Sequence, residues 1–120
     1  MSTRQQAVHD YMDGFRRSDH GAILALLTDD VVWRIHGART THGKAEFDDE
    51  IENPAFEGSP ELEVERTLEA GDVVVVTGVG RGRIRDGDGF RFAYSDLFTF
   101  RGELIAQVDS YVVPLGGSPV

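Results

Sequence analysis

The sequence contains no cysteine and no apolar run approaching the ~20 residues that a membrane span needs. Without thiols the chain can form no disulfide and has no cysteine nucleophile, which agrees with a reducing compartment. The first residues also lack the basic patch and apolar segment of a secretory signal. We therefore expect a cytoplasmic protein that does not enter a membrane.

Positive charge is scarce as well, with 12 Lys and Arg against 21 Asp and Glu and a net charge of −9. Such a chain repels a phosphate backbone, so we expect no nucleic acid partner. The four histidines show neither His-x-His nor His-x-x-x-His spacing, and the serines lack a Gly-x-Ser-x-Gly context. We therefore expect no metal site and no serine nucleophile, and we expect that any enzyme here works without a cofactor.

A length of 120 residues, 40% of them apolar, fits one domain that spans 1–120, with 114–120 as a frayed tail. In the first half, apolar residues recur at helical spacing over 4–17 and again over 23–27. The second helix should end near Thr28. The β-branched and aromatic residues of 31–36 predict a strand, and 37–43 should form a polar turn. A third short helix should then run through Phe47 and end at Asn53-Pro54.

From Leu62 onward the apolar period is two, which predicts strands over 62–69, 73–85, 90–101 and 104–113. In the first of them Leu62, Val64 and Leu68 should share the buried face. Glycines at 78, 80 and 82 indicate bending or close approach within the second strand. Helices followed by an antiparallel meander predict an α+β fold, in which a bent sheet over helices encloses a cavity.

The strand 90–101 carries an acid among aromatic residues, because Asp96 shares one face with Phe92, Tyr94 and Phe98. If that face is buried, desolvation should raise the pKa of Asp96 and make it an acid–base group. The alternative is a structural carboxylate that binds a backbone amide or an arginine. The opposite face, with Ala93, Ser95, Leu97 and Thr99, is small and semi-apolar and would suit a homodimer contact.

Strict alternation over 104–113 places Asp109 on one face with Ile105, Gln107 and Tyr111. Asp96 and Asp109 could then meet in one apolar pocket, where paired acids give one proton donor and one acceptor. Arg81 lies either on the wet face of the central strand or beside these acids. An arginine partner for Asp109 is the simpler alternative.

Residues 19–33, 42–47 and 96–105 resemble the nuclear transport factor 2-like superfamily, especially its SnoaL-like branch. The resemblance covers 7–113. It implies a cone-shaped α+β barrel, with N-terminal helices packed on a strongly curved, mainly antiparallel sheet around a pocket. It also implies a small, often hydrophobic ligand and a homodimer through the outer sheet face.

Within this superfamily, a comparison with ketosteroid isomerase puts Tyr11 and Asp96 at the oxyanion-hole tyrosine and protonated aspartate, with Ile35 in place of the general base. Similarity to polyketide cyclases and limonene epoxide hydrolase implies that Asp109 is the catalytic aspartate, although the cyclases' His-Trp is Gln107-Val108 here. Because Ile35 replaces the general base, the isomerisation that ketosteroid isomerase performs is not expected here.

Together these considerations predict a cofactor-independent isomerase, cyclase or hydrolase that uses aspartate acid–base chemistry on a small hydrophobic substrate. The alternative is a non-catalytic ligand-binding or dimerisation module of the same fold. The predicted catalytic residues are Asp109, Asp96 and Tyr11. The predicted substrate-binding residues are Phe15, Trp33, Ile35, Phe47, Arg81, Phe92, Tyr94 and Tyr111.

Overall fold

A computed structural model of the protein describes residues 2–52 and 60–115. It contains three helices and six strands. The helices are α1 (Thr3–Arg16), α2 (His20–Leu24) and α3 (Gly43–Ile51). The strands are β1 (Leu27–Ile35), β2 (Arg39–His42), β3 (Glu61–Ala70), β4 (Val73–Arg83), β5 (Gly89–Arg101) and β6 (Leu104–Leu115). Within the described part of the chain, no helix is long and apolar enough to cross a membrane.

Local sequence explains where the first two helices begin. The Ser2 side chain accepts a hydrogen bond from the Gln5 backbone amide, and the Asp19 side chain does the same for Ala22. Each cap satisfies one of the free amides at a helix start. In α1 the apolar stripe that includes Val8 is buried, so this helix lays one face against the sheet.

The six strands form one sheet in the order β2-β1-β6-β5-β4-β3. Strands β3 to β6 make the predicted antiparallel meander, and only β1 and β6 are parallel neighbours. Helix α1 packs on β3 and β4, while α3 packs on β1 and β2. The α+β fold class with a mainly antiparallel sheet is confirmed, and the sheet does not close on itself.

The strand boundaries of the first half differ from the prediction. Strand β1 begins at Leu27, so Thr28 lies in a strand rather than at a helix end. The polar segment 37–43 contains β2, in which Thr41 pairs with Trp33. An edge strand with mostly exposed polar side chains has the composition of a turn, which explains the error. The predicted stop at 53–54 lies outside the described residues.

A bulge in β3 reverses the faces of its second half. The register against β4 shifts between Val64 and Arg66, so one residue is inserted there. Beyond it, Thr67 contacts His9 of α1, whereas Leu68 is 54% exposed. The expectation that Leu68 shares the buried face of Leu62 and Val64 is therefore wrong.

The glycines of β4 make room for aromatic side chains of β5. In register, Gly78 lies opposite Tyr94, Gly80 opposite Phe92, and Gly82 opposite Phe90. A Cβ atom on Gly82 would lie 2.8 Å from the Phe90 ring, and at the other two positions it would also collide with the facing ring. The glycines thus permit the close approach that their spacing indicated.

The last strand is longer than predicted, because Pro114 and Leu115 belong to β6 and not to a tail. Residues 116–120 lie outside the described residues. Strand β1 pairs with β6 only as far as Ser110, so in the described part of the chain Pro114 lies where one side of β6 is a sheet edge and a missing amide donor is tolerated.

Candidate functional site

A cavity of about 360 Å³ lies between α1, α3 and the inner face of the sheet. Most of its lining is aromatic or aliphatic. The aromatic lining residues are Tyr11, Phe15, Trp33, Phe90, Phe92 and Tyr94, and Ile35 adds an aliphatic wall. The polar side chains that line it are Asp96, Ser110, Arg39, Glu50 and Arg83. This combination of apolar walls and a few polar groups is typical of small-molecule sites.

Asp96 lies on the inner face of β5, half-buried at the cavity. Burial raises the pKa of this carboxyl group to about 6, and a hydrogen bond from Ser110 acts in the opposite direction. Asp96 forms no ion pair with any described residue. Among the described residues its hydrogen-bond partner is thus the Ser110 hydroxyl group, and the arginine considered as an alternative is not there.

Ser110 holds the carboxyl group of Asp96 from the neighbouring strand. The two residues are paired in register across β5 and β6, and the Trp33 indole Nε1 donates a 2.9 Å hydrogen bond to Ser110 Oγ. Because a hydroxyl group has one proton, and Oγ already accepts from Trp33, that proton is left for Asp96. Ser110 is buried. Sequence reasoning missed it because a serine in a strand carries no motif.

Two tyrosines adjoin Asp96. Tyr11 of α1 is buried, with its ring centroid 4.9 Å from those of Phe15 and Phe98. Burial and, second, the charge of Asp96 raise the pKa of Tyr11 well above its usual range. The same two causes, in that order, raise the pKa of Tyr94 to about 12. Both phenols stay neutral near pH 7 and can donate hydrogen bonds.

Trp33 forms a wall of the cavity and is supported from behind. Its ring stacks on Phe47, with centroids 4.6 Å apart, and Phe47 is fully buried. Phe47 is not among the residues that line the cavity. The structure therefore places this predicted binding residue behind Trp33 and not at the cavity surface.

Asp109 lies on the opposite face of the sheet from Asp96. Its carboxylate is 2.9 Å from His36 Nε2 and accepts a 2.8 Å hydrogen bond from Gln107 Nε2. The register of β5 against β6 shifts between Thr99 and Phe100, which inserts Ala106 as an extra residue. Ile105 therefore points inward while Gln107 and Asp109 point outward. The prediction that both aspartates meet in one pocket is wrong.

Two further predicted binding residues share this outer side. The Tyr111 ring stacks on His36 at a centroid distance of 4.2 Å and is 44% exposed. Arg81 is exposed, and its Nε lies 3.5 Å from Glu61. Neither side chain lines the cavity with Asp96. The register shift in β6 that turns Asp109 outward also turns Tyr111 outward. Arg81 lies on the wet face of the central strand, which was one of its two predicted positions.

An ion pair connects two elements at the cavity edge. Arg39 of β2 binds Glu50 of α3 through two hydrogen bonds, one of them 2.7 Å long from Nη2 to Oε2. The Arg39 side chain is 46% exposed, so it marks the solvent side of the cavity. The pair escaped sequence reasoning because β2 was predicted as a turn. In the described ranges, no group of three metal-ligating side chains comes together.

Comparison with solved structures supports the same architecture. A crystal structure of a nuclear transport factor 2-like protein of unknown function from Burkholderia pseudomallei is 22% identical over 92% of this chain and 91% of that chain, with a TM-score of 0.85. A candidate polyketide cyclase from Xanthomonas campestris is 23% identical over 92% of both chains, with a TM-score of 0.79.

An LEH-like epoxide hydrolase from M. tuberculosis is 17% identical over 92% of this chain and 82% of that chain, with a TM-score of 0.79. At these identities the likeness establishes the fold. No curated protein matches the chain in sequence. The family model of the SnoaL-like domain matches residues 8–108, and the protein therefore belongs to the SnoaL-like family.

Proposed function

We propose that the protein is a cofactor-independent enzyme in which Asp96 exchanges a proton with a small, mainly apolar substrate. One observation carries this proposal: a carboxyl group with a pKa of about 6 borders a cavity lined largely by aromatic residues. A general acid–base group works best when its pKa is near the working pH. Glu50 also borders the cavity, but Arg39 engages both of its oxygens.

The surrounding groups suggest a division of labour. Near pH 7 most Asp96 is ionised, so it accepts a proton from a carbon next to a substrate carbonyl group. Tyr11, neutral and adjacent, donates a hydrogen bond to the carbonyl oxygen on which charge develops. Asp96 then returns the proton to a different atom, which gives an isomerisation or a ring closure. This scheme moves the acid–base role from Asp109 to Asp96.

Deuterium exchange tests the proposal without knowledge of the natural substrate. Small ring ketones, both neutral and amine-bearing, are incubated with the protein in deuterium oxide, and loss of the α-proton signal is followed by NMR. We expect exchange above the buffer rate for at least one ketone, and about 100-fold slower exchange with Asp96→Asn, as for loss of a general base. Asp109→Asn is the matched control and should retain the wild-type rate.

Two results would contradict the enzyme proposal. One is exchange at the buffer rate for every ketone, and the other is equal exchange by wild type and Asp96→Asn. Circular dichroism of both variants shows whether each is folded, so loss of structure cannot be mistaken for loss of catalysis.

The second candidate function is ligand binding without catalysis. It is favoured by the position of Asp109, because the other carboxyl group that the described residues place at the cavity, that of Glu50, is engaged by Arg39 and leaves Asp96 without a second free acid. A pure binding protein would take up the fluorescent probe N-phenyl-1-naphthylamine but exchange no ketone proton. An enzyme would do both.

We also propose that the protein is a cytoplasmic homodimer that pairs through the outer sheet face. Ala93, Leu97 and Thr99 are half-buried there, and Tyr111 and Val113 are exposed nearby. Apolar surface of this kind favours contact with a second sheet. Sedimentation equilibrium at micromolar concentration should give the dimer mass, and a monomer mass would contradict the proposal.

A further inference from the structure

The charges that border the cavity are equal in number but unevenly placed, because both cations lie at its solvent side. Arg39 and Glu50 neutralise each other through their two hydrogen bonds. Arg83 is exposed at the end of β4, where it borders the cavity from the solvent side. Further inside, Asp96 forms no ion pair with any described residue and has the Ser110 hydroxyl as its hydrogen-bond partner. The interior therefore presents one uncompensated negative charge.

An uncompensated carboxylate in an apolar interior is unfavourable, because it has lost its hydration without gaining an opposite charge. A cation placed beside it would restore that interaction. The attraction between two unit charges at a given distance is also several-fold stronger in a protein interior than in water. A ligand cation is thus the most direct complement to Asp96.

The walls fit the same ligand. Six aromatic residues line the cavity, among them Trp33, whose ring is held by Phe47 on one side. The face of an aromatic ring attracts a cation, and tryptophan does so most strongly. Alkyl groups on the cation would meanwhile bury apolar surface against the same rings. The net charge of −9 further favours the approach of a cation over that of an anion.

We propose that this cavity selects a small ammonium ion with apolar substituents, a tertiary or quaternary amine, whose charge lies beside Asp96 and whose alkyl groups contact the aromatic walls. The proposal goes beyond proton exchange and holds equally for an enzyme and for a binding protein. The volume of about 360 Å³ limits the occupant to a compact molecule.

Two compounds of the same shape and different charge test this proposal. Choline carries a quaternary nitrogen, and 3,3-dimethylbutan-1-ol has a neutral carbon in its place. Isothermal titration of the wild-type protein at pH 7.5 should show at least about tenfold tighter binding of choline, which corresponds to about 1.4 kcal/mol. Asp96→Asn, of nearly the same shape, should remove most of the preference and leave only what the aromatic rings supply, and Asp109→Asn on the outer face should preserve it in full.

The pH dependence supplies an independent readout. If the ionised form of Asp96 binds choline, affinity should fall about tenfold from pH 7 to pH 5, because a group with a pKa of about 6 changes from about 90% to about 10% ionised. The neutral alcohol should show no such fall. In Asp96→Asn the choline affinity should no longer follow this curve. Any pH dependence that remains in this variant comes from other groups, such as the histidines, and can be subtracted.

Three results would overturn the proposal. They are equal affinity for the two compounds, a choline preference that is undiminished in Asp96→Asn, and no choline binding at ten-millimolar concentration. None of these measurements involves turnover. A preference for choline without exchange of a ketone proton would refute the enzyme proposal and support the ammonium site. Exchange of a ketone proton without a preference for choline would refute the ammonium site and support the enzyme proposal.

Discussion

The inner and outer faces of the sheet each hold one aspartate of the predicted site, and the two aspartates differ in their surroundings and in their hydrogen-bond partners. Asp96 pairs in register with Ser110, and Asp109 pairs with Leu97, one position along the same two strands. Asp96 borders a largely aromatic cavity with one hydroxyl partner. Asp109 contacts His36 and Gln107 on the other side. The face of the sheet, and not the residue type, therefore decides which of the two acids borders the cavity.

The largest expected effect tests whether the inner face carries the stability of the fold. Phe98 is fully buried and packs edge-on against Tyr11, whereas the adjacent Leu97 lies half-buried on the outer face. Phe98→Ala should lower the free energy of unfolding by about 3–5 kcal/mol in urea titrations, since it leaves a cavity in the core. Leu97→Ala should cost clearly less. Equal losses would show that the outer face is buried too, for example in a dimer.

The second prediction concerns the two aspartates directly. The pKa of Asp96 is about 6 in the folded protein and about 3.9 in an unfolded chain. The folded state therefore holds the proton more tightly, so the stability contributed by Asp96 is fully present below pH 4 and is lost as the pH rises through 6. Because Asn resembles the neutral acid, Asp96→Asn should stabilise the protein at pH 8 by up to about 3 kcal/mol.

The same substitution on the outer face should have the opposite sign. Asp109→Asn weakens the contacts with His36 and Gln107, and loss of a hydrogen bond costs about 1 kcal/mol. Urea titrations of both variants at pH 8 and pH 4 compare them. If Asp96→Asn destabilises the protein at pH 8, its carboxylate has a cationic partner and the comparison fails.

A smaller effect should follow from removing the hydroxyl that supports Asp96. The hydrogen bond from Ser110 lowers the pKa of Asp96, so Ser110→Ala should raise that pKa above about 6. Carboxyl carbon NMR over a pH titration measures the change. Ser110→Thr keeps a hydroxyl group and serves as the control. An unchanged pKa in Ser110→Ala would mean that Ser110 does not donate to Asp96.

The smallest effect is expected at Arg81. Its pair with Glu61 is exposed, and such surface pairs contribute between about 0 and 1 kcal/mol. Arg81→Gln should change the free energy of unfolding by less than about 0.5 kcal/mol and leave choline binding unaltered. A marked loss of binding would place Arg81 at the cavity, as sequence reasoning had allowed.

The sequence predicted Asp96 correctly as an inward residue because alternation is unbroken between Phe90 and Phe100. It failed for Asp109 because one inserted residue, Ala106, reverses the faces beyond it. No composition marks such a bulge, since it depends on how β6 pairs with its neighbours. Turn and strand were confused at β2 for a related reason, because pairing with β1, and not side-chain chemistry, makes that segment a strand.

The family resemblance predicted the fold and the presence of a cavity, but it assigned the acid–base role to Asp109. The resemblance did not point to Ser110, although this residue contacts both Trp33 and Asp96. The first of these contacts joins residues 77 positions apart in the sequence, and the second joins residues on neighbouring strands. They follow from tertiary packing and have no local signal.

The inserted residue at Ala106 has a consequence for how such a protein could change its chemistry. Deleting this single codon would turn the remainder of β6 over, so that Gln107, Asp109 and Tyr111 would face the cavity and Ser110 would face outward. The occupant would then meet a second carboxylate and an amide in place of a hydroxyl, with no substitution at any position. A length change in one strand could thus give a lineage a new reaction while the rest of the scaffold stays intact.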